Sequence, residues 1–252
     1  MPEKILSVVI PAYNESRFIG ALLDKIGAVD LSAFDCRMEI IVVDDGSADD
    51  TADIARQHDG VIVDVLAVNG GKGEAVKRGI SLASGDYIII QDADLEYEPN
   101  DYIPMLEALL QPGVDAVYGS RYMDPGGRTG PLAWLAGRHD GQSWTAYLGG
   151  RSISLAAYAY TGKWLTDTVT ALKLFRRDVI KDMALETTGF ELDHEITSNV
   201  LARGQNIVEV PIHYYPRSKA EGKKIGLRDW MKALHTFRSF AGRDMRTTDS
   251  GQ

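Results

Sequence analysis

Gly85-Asp-Tyr-Ile-Ile-Ile-Gln-Asp-Ala-Asp94 runs an apolar strand straight into two carboxylates one residue apart. Side chains alternate along an extended chain, so Asp92 and Asp94 leave its carboxyl end on one side while Ala93 turns the other way. Two hard oxygen ligands presented together suit Mg2+ or Mn2+, ions that share a few protein carboxylates with phosphate oxygens and water. In an acidic chain the same spacing equally describes a solvated pair, so the flanking segments have to decide.

Upstream, strand and helix alternate. Lys4 to Ile10 reads as a buried strand closed by Pro11, which lacks the N–H a ladder uses. Phe18, Leu22, Leu23 and Ile26 recur at helical spacing up to Gly27. Met38 to Val43 is a second strand, ending in Asp44-Asp45-Gly46-Ser47, with a helix from Asp49 to Gln57 after it. Val61 to Val65 is a third, and Asn69-Gly-Gly-Lys-Gly73 opens a helix with Val76, Ile80 and Ala83 on one face. With Tyr87 to Gln91 the pattern is βαβαβαβ. It predicts a single Rossmann-like α/β domain: a mostly parallel central sheet with helices on both faces.

Ligands of such sheets gather outside the carboxyl ends of the strands. Pro11, Ala12, Tyr13, Glu15, Asp44, Asp45, Lys72, Gly73, Asp92 and Asp94 all fall there. Each has an ordinary structural reading alone: helix-terminal charges for Asp44 and Asp45, turn residues for the glycines, core for Tyr13. Together and in this order they describe a nucleotide site.

Downstream, Pro99 begins a helix carrying Ile103, Leu106 and Leu110, and Asp115 to Gly119 is the next strand. Residues 121–141, rich in glycine and arginine, read as a long functional loop. Trp144 to Trp164 is apolar but too short, and too broken by Gly149-Gly150, to cross a bilayer. Leu172 to Phe175 reads as a strand, Phe190 to Arg203 as a helix, and Ile207 to Ile212 as a strand. Tyr214 to Gly226 is a basic loop suited to closing over a diphosphate. The last helix carries Leu227, Trp230, Met231, Leu234, Phe237 and Phe240 on one side, with Arg228, Lys232 and Arg238 between them. That pattern fits a membrane interface, or packing on the domain or on a second copy of the chain. One domain is expected over 1–242, nucleotide-binding in 1–120 and acceptor-binding in 121–242, with 243–252 a disordered tail.

The 252 residues hold 36 acidic and 27 basic side chains, a net charge of -9 that argues against a nucleic-acid partner. Residues 203–246 reverse the sign, with ten Lys or Arg against four Asp or Glu. The single cysteine, Cys36, excludes an internal disulfide. The N-terminus lacks the pattern of a secretory signal, and a cytoplasmic protein, peripheral on the membrane at most, is expected. His58, His139, His194, His213 and His235 show no metal-ligand spacing.

The chain resembles the family 2 glycosyltransferases of the GT-A fold, and within them the polyisoprenyl-phosphate branch. The likeness runs through Val8-Val-Ile-Pro-Ala-Tyr-Asn-Glu15, Ile41-Val-Val-Asp-Asp-Gly-Ser47, Gly71-Lys-Gly73, Asp92-Ala-Asp94, Gly119-Ser-Arg121, Lys173-Leu-Phe-Arg176, Gly189-Phe190 with Glu195, and Glu209-Val-Pro-Ile212. The resemblance implies that Pro11, Ala12, Tyr13, Glu15 and Asp44 hold the base and ribose of a UDP- or GDP-sugar, with Asp45, Lys72 and Gly73 beside them. Asp92 and Asp94 would hold Mg2+ or Mn2+ on the donor diphosphate. Arg121, Arg217 and Lys219 would meet phosphate, and Lys223 and Lys224 could add charge. Glu195, ahead of Asp193, would reach toward the acceptor, which for this branch is a polyprenyl phosphate. Catalysis would then rest on Asp92, Asp94, Glu195 and Arg217, by inversion at the anomeric carbon. Glu96 stands where the branch often has Gln, which bears on metal preference. Many members also carry membrane helices, and no apolar run here is long enough for one. The rival readings are transfer to a soluble hydroxyl and a nucleotide-binding regulator without catalysis. A sugar nucleotidyltransferase would want a Gly-rich loop with Arg and Lys after the first strand, where this chain has none.

Overall fold

The computed structural model describes residues 3–123, 152–155, 157–159 and 162–216. Arg217, Lys219, Lys223, Lys224, most of the 121–141 loop and the expected C-terminal helix and tail lie outside those residues.

A seven-stranded sheet runs in the order β3-β2-β1-β4-β6-β5-β7. Its strands are β1 (Lys4–Ala12), β2 (Cys36–Asp44), β3 (Val61–Val65), β4 (Tyr87–Ile90), β5 (Ala116–Ser120), β6 (Lys173–Arg176) and β7 (Ile207–Pro211). All run parallel except β6, which is antiparallel to both β4 and β5. The sheet is therefore mixed and mostly parallel, as the alternating pattern predicts.

Parallel strands covered on both faces read as unbroken apolar runs. The alternation within them sorts the core into two layers. Leu6, Val8, Ile10, Ile89 and Val117 pack with Leu22 and Ile26 of α1 (Ile19–Gly27) and Leu106 of α4 (Tyr102–Leu109). Val9, Ile41, Val43, Ile88, Ile90 and Phe175 pack on the opposite face with Val76 and Ile80 of α3 (Lys72–Leu82). Ile196 and Val200 of α6 (Leu192–Ala202) join that second layer. Two short helices are α2 (Thr51–Arg56) and α5 (Arg177–Ile180), the latter following β6 directly and unannounced by any sequence period. At Gly79 a Cβ would lie 2.3 Å from Val9, so the absent side chain lets α3 close on β1.

The first strand runs past its proline. Ala12 accepts a bond from the Asp45 amide and Val9 one from the Gln91 amide, so Pro11, two residues from Val9, faces the β4 side. Pairing with β4 stops at Ile90, and the missing N–H breaks no ladder there.

Candidate active site

The carboxyl ends of β1, β2, β4, β5 and β7 and the amino end of antiparallel β6 share one edge of the sheet. Ala12, at the end of β1, is in register with Asp44, at the end of β2. Tyr13, next in the chain, is 46% exposed at this edge. Glu15 turns the chain into α1: its amide donates to Thr51 Oγ1 at 2.9 Å and its carbonyl accepts from Phe18 and Ile19.

Asp44 and Asp45 do different work. Asp44 accepts the Ser47 amide at 3.1 Å and the Ser47 hydroxyl, both from its own turn. Asp45 accepts the amides of Gly70 and Gly71 at 2.7 and 2.8 Å, clamping the turn that precedes α3. That turn is crowded by design of its residues. A Cβ on Gly71 or Gly73 would come within 2.6 Å of Thr188 backbone, and the Gly73 amide donates to the Thr188 carbonyl at 2.7 Å. Only glycine admits the 185–190 segment so close.

Lys72, between those glycines, reaches back to the end of β4. Its Nζ lies 2.7 Å from Asp92 Oδ1 and 3.4 Å from Asp193 Oδ2, and 5.8 Å from the centre of the half-exposed Phe190 ring. Asp193 also meets Lys173, whose Nζ is 2.9 Å from Oδ1 and donates as well to the Thr170 carbonyl. Charges thus alternate along Asp92, Lys72, Asp193 and Lys173. Burial alone would raise the Asp193 carboxyl, but the Lys173 and Lys72 ammoniums outweigh it and bring its pKa down to about 2. Burial disfavours the Lys72 charge, yet Asp193 and Asp92 hold its pKa above the usual lysine value. Burial wins for Lys173, which is fully enclosed and shifted down.

Past Asp92, Asp94 accepts the Glu96 amide at 3.2 Å around Leu95, whose φ of 61° is left-handed. That conformation costs a side-chain-bearing residue about 1–2 kcal/mol, and it bends the chain back beside the paired carboxylates. Glu96 in turn accepts the Tyr214 hydroxyl at 2.7 Å, joining this turn to the segment after β7. The donor set suits a divalent ion in type, two hard carboxylates, and Asp92 already binds a cationic group in Lys72. Among the described residues no three His, Cys, Asp or Glu gather as a metal cluster, so most ligands of such an ion would come from phosphate and water.

The second half of the edge is built from buried charge. Arg121, after β5, is held bidentately by Asp167 at 2.6 and 2.8 Å, and its guanidinium lies 5.1 Å from the Tyr214 ring centre. Asp167 is placed by Glu209 of β7, which accepts the amides of Thr166 and Asp167 at 2.7 and 2.8 Å. Burial raises the Glu209 carboxyl above its ordinary value.

Most of the expected residues therefore meet at one edge, with two changes of role. Glu195 is fully buried and faces inward, accepting the amides of Glu186 and Thr187 at 2.7 and 2.8 Å and the Thr187 hydroxyl. Asp193, ranked behind it from sequence, is the one that joins Lys72. Successive helical residues point about 100° apart, and nothing in the local pattern says which of the two turns outward. Asp167, Lys173, Glu209 and Tyr214 escaped the sequence reading as working residues. Lys173 left a signal: a lysine inside the apolar run Leu172-Lys-Leu-Phe175.

A family model described as glycosyl transferase family 2 matches residues 7–183. Among curated proteins, the undecaprenyl-phosphate 4-deoxy-4-formamido-L-arabinose transferase of Serratia proteamaculans is 34% identical over 219 residues, covering 83% of this chain and 60% of that protein. The dolichol-phosphate mannosyltransferase of Pyrococcus furiosus is 30% identical over 243 residues, covering 92% of this chain and 63% of that protein. The chain thus spans about three fifths of the length of these curated relatives. Among solved structures, glucosyl-3-phosphoglycerate synthase from Mycobacterium tuberculosis in complex with Mn2+, UDP and glucosyl-3-phosphoglycerate aligns with a TM-score of 0.67 at 20% identity, over 95% of this chain and 80% of that one. Mannosyl-3-phosphoglycerate synthase from Rubrobacter xylanophilus aligns at 0.68 and 22%, over 96% and 74%. At these identities the structural likeness speaks for the fold.

Proposed function

The chain belongs to glycosyl transferase family 2, and we propose that it moves one sugar from a UDP- or GDP-sugar to a polyprenyl phosphate. An acceptor phosphate oxygen attacks the anomeric carbon, the bond from that carbon to the diphosphate breaks, and the nucleoside diphosphate leaves with the electron pair. Configuration inverts in this single displacement.

The observation that carries the choice of acceptor is the state of the two carboxylates on α6. A sugar hydroxyl normally needs a general base near neutral pKa. Asp193 is held at about 2 by Lys173 and Lys72, and Glu195 spends its oxygens on the 186–187 backbone. Asp193 is thereby a weak proton acceptor, and the Glu195 carboxylate is turned to the backbone and away from any acceptor. A phosphate monoester, with a second pKa of about 6, is largely dianionic at neutral pH and needs no base. The two curated relatives, whose names specify lipid-phosphate substrates, support the same reading.

On this reading Tyr13 and Asp44 bind the nucleoside, Asp45 holds the Gly70–Gly71 turn beside the diphosphate, and Lys72 faces its charge. Asp92 and Asp94 would hold Mg2+ or Mn2+, whose chemistry when bound is to neutralise charge growing on the leaving diphosphate. Arg121, fixed in direction by Asp167, offers the acceptor phosphate a guanidinium. Among the described residues no helix is long and apolar enough to cross a membrane.

The test is transfer of labelled sugar from a panel of UDP- and GDP-sugars, with Mn2+ or Mg2+, to polyprenyl phosphate, free polyprenol and soluble sugars. Label should reach only the phosphate, and the rate should fall as pH drops through about 6, where the acceptor gains a proton. Label on a soluble hydroxyl and none on the lipid phosphate would overturn the proposal.

A further inference from the structure

Resting on the reading of Asp92 and Asp94 as metal-bearing carboxylates, we propose that the Lys72 ammonium and a divalent cation are rival partners of Asp92. The chain then takes up the cation and a nucleoside diphosphate together, and binds the cation poorly alone.

The geometry is that of one cation with two carboxylates to choose from. Lys72 Nζ stands 2.7 Å from Asp92 Oδ1 and 3.4 Å from Asp193 Oδ2, and these three side chains are only 11%, 19% and 11% exposed. Asp193 is the stationary member. Its other oxygen is tied to Lys173, which is wholly buried and anchored in addition to the Thr170 carbonyl. Asp92, at the open end of β4, is the exchangeable one.

The backbone beneath Lys72 has no room to shift. Thr188 lies against both flanking glycines, accepts the Gly73 amide, and is itself positioned through Glu195, which binds the two residues before it. Exchange therefore falls to the lysine stem, four methylenes long with a freely rotating ammonium. Swinging toward Asp193 leaves Asp92 open; swinging back closes it.

A dication on Asp92 would meet the ammonium at a few ångströms in a cleft with little water, where like charges repel far more strongly than in bulk solvent. A diphosphate entering with the cation supplies negative charge to both. Two ligands that relieve one repulsion must each raise the affinity for the other by the same factor. Lys72 thus acts as a positioning residue that makes cation binding conditional on the nucleotide.

The experiment titrates the full chain with Mn2+, following free Mn2+ by electron paramagnetic resonance, with and without UDP or GDP. For the wild type the diphosphate should tighten Mn2+ binding at least about tenfold. Lys72→Met should bind Mn2+ alone on the order of tenfold more tightly than wild type, and the enhancement by nucleotide should shrink. Lys72→Arg, which keeps the charge, should keep the wild-type pattern. Asp193→Asn should move the other way: with its second carboxylate neutralised, Lys72 stays on Asp92 and Mn2+ alone binds still more weakly. Lys72→Met binding Mn2+ alone no more tightly than wild type overturns the proposal. If that variant does not fold, Asp193→Asn decides, and unchanged or tighter Mn2+ binding overturns it. The readout needs no sugar transfer. A chain that glycosylates neither lipid phosphate nor hydroxyl but shows this linkage sinks the proposed activity and keeps the inference, whereas an active transferase without the linkage does the reverse.

Discussion

The two sides of the site hold their charges in opposite ways. At the ends of β2 and β4, Asp44 and Asp94 are gripped by neighbours within three residues, Ser47 and the Glu96 amide. On the β5, β6 and β7 side the charges come from segments 20 to 46 residues apart, joining Arg121 to Asp167, Lys173 to Asp193 and Glu209 to Asp167, with Asp167 and Lys173 enclosed. A carboxylate held by its own turn gives up little when a ligand takes over its oxygens. A buried ion joined across such a distance loses, with its charged partner, an interaction that no local turn replaces. The first side is built to exchange partners and the second to keep them.

The sharpest way to break this contrast is Asp167→Ala. Arg121 would be left buried without its bidentate partner, and unfolding free energy should drop by about 3–5 kcal/mol in chemical denaturation. A loss under about 1 kcal/mol would mean that the pair is as replaceable as the contacts within the turns after β2 and β4. Glu195→Gln is next in size. The amide keeps one acceptor and turns a donor toward backbone N–H groups, a mismatch worth about 1–3 kcal/mol. It should appear as a lower urea midpoint at unchanged slope, with sugar transfer surviving at weaker donor affinity. Loss of transfer at full stability would instead make Glu195 a reacting group. The smallest effect on stability belongs to Asp44→Asn, which keeps one acceptor oxygen for Ser47 and should cost about 1 kcal/mol. Calorimetry should nevertheless show UDP or GDP bound at least about tenfold more weakly. Equal nucleotide affinity in variant and wild type would remove Asp44 from the nucleoside site.

The same contrast explains what could be read from sequence. Asp44, Asp92 and Asp94 were legible because an apolar parallel strand that ends in acid says where its carboxylates go. The first four strands and the helices between them follow from that pattern to within a few residues at each end. The strand Leu172 to Phe175 was also legible, but its direction was not, since an apolar run reads alike either way. Asp167 sits in a stretch with no period, and no spacing rule links it to Arg121. Asp193 and Glu195, two residues apart, point to nearly opposite sides of the helix, and which of them faces Lys72 is set by packing against the 186–188 segment. The basic loop with Arg217 and Lys219, and the amphipathic end of the chain, remain expectations from sequence.

The antiparallel strand has a consequence for how the chain is made. β5 is finished at Ser120, yet both of its sheet neighbours, β6 at Lys173–Arg176 and β7 at Ile207–Pro211, come later in the sequence. On the ribosome, strands β1 to β4 find partners as they emerge, while β5 waits through about fifty further residues with both edges bare. Unpaired strand edges on a growing chain recruit other chains. The interval after β5 is thus where synthesis is most exposed to misassembly: β6, sliding between two strands that preceded it, covers one edge of β5, and the other waits for β7.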